Sequence, residues 1–289
     1  MPDIRLSFTL LRKKAKMSGD FLITSLQNQR IKQAVKLRQH TYRDRTDLML
    51  VEGYREIRRA LDNHYRLSSL FVCPGFYLGK NEPGLVEQCR ASGTEIIVCT
   101  KPVFEKIAYR ERPEGLLGVM PRMRTTLDQL RLRPQPLLVV AEAIEKPGNL
   151  GTMLRSADAA GADAVIVCDP RTDIYNPNVV RASIGTIFSV PVVTETFETV
   201  HAWLRRHRIL TLAATPHAQQ TYTKPDLTVG VAIVLGTEQL GLSERWMTAA
   251  DLQVRIPMHG QADSLNVAAA ATILLFEVRR QRDAAAAKR

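Results

Sequence analysis

The chain has 289 residues, 45% hydrophobic and 24% charged, enough for one large or two ordinary domains whose cores need no disulfide or metal staples. Such a composition excludes a wholly disordered or collagen-like protein. Forty Lys and Arg against 29 Asp and Glu give a formal charge of +11, which points to a polyanionic partner, nucleic acid or an anionic membrane surface.

Residues 1–66 carry fifteen Lys/Arg and seven Asp/Glu, which is +8 of the +11, so the electrostatic footprint lies at the amino-terminal end. Residues 1–19 read as a basic arm, with Met17 a second candidate start. Its charges follow a short apolar patch, the reverse of a secretory signal, and no apolar stretch reaches the roughly 18 residues of a spanning helix. The expectation is a cytoplasmic chain with no membrane partner. From 20 to 121 apolar runs alternate with amphipathic ones: LMLVEG, YREIRRALDN, LSSLFVC, LVEQCRASG, EIIVCT, PVFEKIAYRE and GLLGVMP. That change of period predicts a small α/β domain. Residues 122–136, RMRTTLDQLRLRPQP, are Arg-rich and bracketed by prolines, as an exposed linker would be.

After Pro136 the strands lengthen and lose their polar alternation: LLVVAEAI, AVIVCD, ILTLAAT, VGVAIVLG and LQVRIP. Nearly continuous apolar runs suit a parallel sheet covered on both faces. The helices between them are NLGTMLRSADAAG, NPNVVRASIG, FETVHAWLRRHR, SERWMTAA and SLNVAAAATILLFEVRRQR, which makes residues 137–289 a second α/β domain. The four cysteines are scattered without a CxxC pair or a companion His at ligand spacing, so no metal site is expected. Cys73, Cys99 and Cys168 sit in apolar runs and read as buried strand thiols.

Three segments of this second domain carry chemical groups at strand ends. In EAIEKPGNLGTMLRSADAAGAD, Pro147, Gly148 and Gly151 make a close-approach turn into a helix; Asn149 is placed to cap it and Arg155 follows one or two turns later. A helix start after a strand suits an anion or nucleotide, although the segment lacks GxGxxG. In AIVLGTEQLGLS, Gly236 and Gly241 open the backbone to a ligand and Glu238 can orient a donor. In VRIPMHGQADSLNVAAAATILLFE, Ser264 reads as a helix cap and Asn266, one step inside, is a poor helix former, so something other than helicity should hold it there. His259 is either a base or a solvent-facing loop residue.

Taken together, NLGTMLR, IVLGTEQLGLS and IPMHGQADSLNVAAAA, with RASIGTIFSVPV between the first two, resemble the signature motifs of the SpoU (TrmH-like) ribose 2′-O-methyltransferases of the SPOUT superfamily, in order and spacing across residues 140–280. Residues 20–120 look like the substrate-binding domain often found ahead of it, whose fold resembles a small ribosomal RNA-binding protein. The resemblance implies a deep trefoil knot in the carboxyl-terminal domain, a homodimer, S-adenosylmethionine as cofactor and RNA, most of all ribosomal RNA, as partner. It also places Asn149, Arg155, Glu238, Ser264 and Asn266 on catalytic positions. Thr215, Leu235, Gly236, Ile256, Met258 and Leu265 fall on cofactor-binding positions, and Arg181 where a second site arginine is found. Alignment of the methyl carbon and removal of the hydroxyl proton are the tasks left to the protein, with no metal needed. A guanidinium is an unusual base, so Arg155 is expected to act with the target phosphate, while Glu238 holds Asn149 or Arg155 in place. Arg43 and Arg45, read as lying between the first helix and strand, are candidate RNA contacts, as are Arg205, Arg206 and Arg208. Transfer RNA as substrate, a non-catalytic RNA-binding or ribosome-assembly role, and a nicotinamide oxidoreductase are the alternatives.

Overall fold

The computed structural model describes residues 21–287, so the basic arm expected at residues 1–19, with Met17, lies outside the described residues. The described residues up to Arg122, together with Tyr175–Arg181, form one compact unit; Met123–Ile174 and the chain from Ala182 onward form another.

In the first unit the chain runs through β1 (Phe21–Ile23), α1 (Gln29–Lys36), α2 (His40–Thr46), β2 (Leu48–Glu52), α3 (Tyr54–Asp62), β3 (Ser69–Val72), α4 (Glu82–Ala91), β4 (Glu95–Cys99), α5 (Lys101–Ile107) and β5 (Leu116–Pro121). The sheet order is β1-β4-β3-β5-β2, with β1 and β3 parallel to β4, and with β5 antiparallel to both β3 and β2. Ile31 and Ala34 of α1 and Phe104 and Ile107 of α5 pack on Phe71, Ile97 and Leu117 of the sheet.

HTYRDRT, expected between elements, is instead the helix α2, ended by Asp47 in the left-handed conformation at φ 54°. That helix turns Arg43 inward. It is 1% exposed and donates from Nη1 to the Leu37 carbonyl at 2.8 Å, so Arg43 ties the turn between α1 and α2 and is withdrawn as an RNA contact. Arg45 stays on the surface and lies 5.0 Å over the Tyr42 ring, on which Lys36 also sits at 5.9 Å.

From Leu137 onward come β6 (Leu137–Glu142), α6 (Pro147–Ala159), β7 (Ala164–Cys168), α7 (Pro177–Ala182), β8 (Val192–Glu195), α8 (Phe197–Arg206), β9 (Leu210–Ala214), β10 (Gln220–Thr221), β11 (Val231–Leu235), α9 (Glu244–Ala249), β12 (Leu252–Arg255) and α10 (Val267–Ala286). Seven strands in the order β10-β12-β9-β11-β6-β7-β8 make an all-parallel sheet. Every residue of β6, β7 and β11 is buried, as expected of strands covered on both faces. α10 packs against α6, where Ser156 Oγ meets Thr272 Oγ1 at 2.6 Å.

The stretch 122–136 is less exposed than its composition suggests. Leu127 is buried in the core beneath the parallel sheet, with Leu130 and Leu132 packed beside it, and Arg133 is tied to Asp163 at 2.9 Å. Its leucines, at positions 127, 130 and 132, outweigh Arg131 between them and the arginines that flank them. All four cysteines are free and buried, Cys89 on α4 included, and burial pushes Cys73 up to about 11 and Cys99 to about 12. Among the described residues no helix is long and apolar enough to cross a membrane, and no group of three or more His, Cys, Asp or Glu is placed to hold a metal ion.

Candidate active site

The carboxyl ends of parallel strands leave backbone groups unpaired and open a crevice between the loops that follow, which is where open α/β sheets bind ligands. Here the loops after β9, β11 and β12 enclose a cleft of about 400 Å³. Its walls include Thr215, Leu235, Gly236, Ile256, Met258 and Leu265, six residues singled out from the sequence, and also Ser264 and Asp263. Arg181 is not among the lining residues; its Nη2 and Nε are held by Asn178 Oδ1 at 2.8 and 3.2 Å.

Gly236 shows why the cleft needs a glycine. A Cβ there would stand 2.1 Å from the Gly241 carbonyl oxygen and 2.4 Å from Leu242 N, both rigid backbone, because the chain folds back on itself between Thr237 and Gly241. Reciprocal bonds between those two residues, at 2.9 and 3.1 Å, close the turn, and Gly241 takes a φ of 68°. Beyond it, Ser243 N donates to the buried Glu142 carboxylate at 2.9 Å, which pins the end of this loop to β6.

Beside the cleft, two helix starts converge on Glu238. α6 begins at Pro147, so its cap position falls to Lys146 and Asn149 lies in the first turn, not at the cap. α10 begins at Val267, and its cap is Asn266, whose Oδ1 accepts from Ala268 N and Ala269 N at 3.0 and 3.4 Å. The expectation that Ser264 caps this helix and Asn266 stands inside it is thus corrected by two residues. It also explains Asn266, because the cap is where an asparagine is favoured.

Having used its oxygen on the helix, Asn266 donates from Nδ2 to Glu238 Oε1 at 2.7 Å and to Asn149 Oδ1 at 3.1 Å. Asn149 Nδ2 donates to the same Glu238 oxygen at 2.5 Å, and Lys146 Nζ pairs with Oε2. The Lys146 ammonium, with the two amide donors, holds the Glu238 carboxyl below the usual carboxylate range. Positive ends of two helix dipoles act in the same sense. Glu238 is therefore an anion with both oxygens engaged, an orienting group and not a free base.

Arg155 does not join this network. Six residues beyond Asn149 it leaves the α6 axis about 120° away, exposed and without a hydrogen-bond or ion-pair partner among the described residues. Of the two partners expected for Glu238, the structure selects Asn149. His259 is exposed and does not line the cleft. The sequence reading missed Lys146 and Glu142. Each left a signal: a cation directly before the proline that starts a helix, and a carboxylate ending an otherwise apolar strand.

A parallel-sheet domain with a cleft at its strand ends is the architecture of ligand-binding α/β domains. Residues 136–276 match the SpoU rRNA Methylase family, and residues 28–118 match the MRM3-like substrate binding domain. A 23S rRNA (uridine(2479)-2′-O)-methyltransferase of Streptomyces viridochromogenes is 33% identical over 83% of this chain and 85% of its own length. Among solved structures, an RNA 2′-O ribose methyltransferase superposes with a TM-score of 0.80 at 40% identity, covering 91% of this chain and 99% of the other. An AdoMet-bound rRNA methyltransferase from Sinorhizobium meliloti gives 0.82 at 30% identity, covering 90% and 97%. The chain belongs to the SpoU rRNA methylase family.

Proposed function

We propose that this protein is an S-adenosylmethionine-dependent enzyme that methylates a ribose 2′-hydroxyl in ribosomal RNA. What carries the reading is the meeting, at the carboxyl ends of the central strands, of the Gly236 cleft with the Glu238–Asn149–Asn266 network. The cleft fits the cofactor: its apolar walls suit an adenosyl group, and Asp263 and Glu238, the acids lining it, suit a cationic sulfonium and amine. Thr215, Leu235, Gly236, Ile256, Met258 and Leu265 would hold that group.

Bound S-adenosylmethionine supplies an activated methyl, so alignment of the ribose oxygen and removal of its proton fall to the protein. Ser264, on the cleft wall, would orient the ribose, with Asn149 and Asn266 held in register for it by Glu238. Because both Glu238 oxygens are engaged, Arg155, acting with the target phosphate, is proposed to polarise the hydroxyl so that its proton passes to solvent water as the oxygen takes up the methyl group. Arg45 and the exposed Arg205, Arg206 and Arg208 would add phosphate contacts, which predicts affinity falling steeply with salt.

The reading extends to a homodimer, to a cytoplasmic site of action and to the trefoil knot of the SPOUT fold. The test is transfer of tritiated methyl from S-adenosylmethionine to protein-free ribosomal RNA, with mapping of 2′-O-methyl positions. Label confined to transfer RNA, or to bases, would overturn the proposal. Near-normal transfer by Arg155→Ala would remove that residue from its role.

A further inference from the structure

We infer that Lys146 is a positioning residue of the methyl-transfer site, fixing the Glu238 carboxylate and, through it, the two asparagine amides. The inference rests on the proposed site. Glu238 Oε1 already accepts two amide bonds, from Asn149 and Asn266, so both amides hang on the orientation of one oxygen. Two donors on one oxygen leave the carboxylate free to swing about its terminal torsion, a broad and soft one. The Lys146 ammonium engages the other oxygen and removes that freedom.

The magnitudes favour this role over a stabilising one. The Lys146 side chain is 71% exposed, and an ion pair so open to water contributes little to folding. Its backbone, by contrast, is well fixed. Pro147 confines the preceding residue to extended geometry, and Lys146 sits at φ −88°, ψ 117°, as the cap position of α6. The flexible side chain therefore starts from a rigid point one helix turn from Asn149, on the same element, and spans 92 residues of sequence to reach Glu238. Two helix starts favour a carboxylate anion here even before Lys146 lowers its carboxyl further. Beyond that lowering, lysine adds direction.

Three full-length proteins test this: wild type, Lys146→Met and Lys146→Arg. Each is assayed with tritiated S-adenosylmethionine and protein-free ribosomal RNA across pH, alongside calorimetric titration of S-adenosylmethionine. Lys146→Met should lower kcat about 10- to 100-fold, the scale of a small misplacement at a reacting centre, with KM for RNA and cofactor affinity near wild type. Loss of the cation also lets the Glu238 carboxyl rise from its depressed value, so the acidic limb of the kcat profile should move to higher pH. Lys146→Arg, which keeps a cation within reach, should restore most of kcat and return the limb. Unchanged kcat and limb in Lys146→Met would overturn the inference. So would a loss seen only as a higher KM for RNA, since that makes Lys146 a phosphate contact. If wild type itself transfers no methyl, the site reading fails, and the inference with it.

Discussion

Glu56 on α3 and Glu238 after β11 are both carboxylates paired with a cation, yet the protein treats their protons in opposite ways. Glu56 is 3% exposed, shares Arg110 with Glu114 and has Glu52 close by, and burial raises its carboxyl despite the Arg110 Nη2 contact at 2.6 Å. Glu52 is raised by burial as well; its Oε2 accepts from Tyr109 N at 2.7 Å, while its Oε1 has no hydrogen-bond partner among the described residues. Gly53 makes the cluster possible, because at its φ of 110° a Cβ would meet Arg110 Nη2 at 2.8 Å. Glu238 has water on one side and three donors on the other, and its carboxyl is lowered. Desolvation dominates one site and donated hydrogen bonds the other. The first arrangement holds backbone together; the second presents amides to a cleft.

The largest expected effect probes the buried side. Arg110→Met removes the cation shared by Glu56 and Glu114 and should destabilise the chain by about 3 kcal/mol at pH 8. The loss should shrink near pH 5, where the raised carboxyls take up protons. Urea denaturation at both values checks it, and a loss under about 1 kcal/mol at pH 8 would place the cluster with ordinary surface ion pairs.

On the other side, Glu238→Gln should lower methyl transfer about 100-fold or more, the cost of losing one preorganised electrostatic group, while unfolding free energy changes by less than about 1 kcal/mol. Comparable losses of stability in Arg110→Met and Glu238→Gln would erase the distinction between the two sites.

A third effect is a slope. Glu52 and Glu56 bind protons more tightly in the folded chain than their ordinary 4.5, so the folded state carries more protons just above that pH, and stability falls as pH rises through the window between 4.5 and the raised values. Glu238, with a lowered carboxyl, contributes stability that is present above 4.5 and lost as pH falls below it. Glu52→Gln should flatten the first slope and leave the second. An unaltered dependence of unfolding on pH just above 4.5 would show that Glu52 titrates normally.

The two sites were unequally legible in the sequence. Residues of the cleft could be named because strand ends, glycines and motif spacing are local signals, and Gly236 is needed for a reason that a five-residue turn contains. Apolar runs gave the parallel sheet for the same reason. Arg43 was misread because composition records that an arginine is charged, not that a helix will turn it towards the Leu37 carbonyl. Arg181 pairs locally with Asn178, three positions earlier, as any helical i, i+3 pair can. The buried Glu52–Glu56–Arg110 cluster joins residues more than fifty positions apart, and no periodicity announces such a contact. The contact of Lys146 with Glu238, 92 residues on, needed the fold, even though its place before Pro147 was visible.

The finest test belongs to the residue that serves both purposes at once. Asn266 caps α10 with its oxygen and supplies the site with its nitrogen, so the two roles separate by substitution. Asn266→Ala should lose about 1 kcal/mol from the missing cap, a shift of roughly 2–4 °C in Tm. Asn266→Asp keeps an oxygen for Ala268 N and adds a charge that the helix start favours, so its Tm should lie within about 2 °C of wild type. That same charge would stand against Glu238 Oε1, where an amide now donates at 2.7 Å, and Asn149 Oδ1 would lose its donor too. Methyl transfer by Asn266→Asp should therefore fall at least as far as in Asn266→Ala, despite the better fold. Transfer at the wild-type rate would mean that the amide is needed only as a cap, and Glu238 would then resemble Glu56 in doing no more than hold backbone in place.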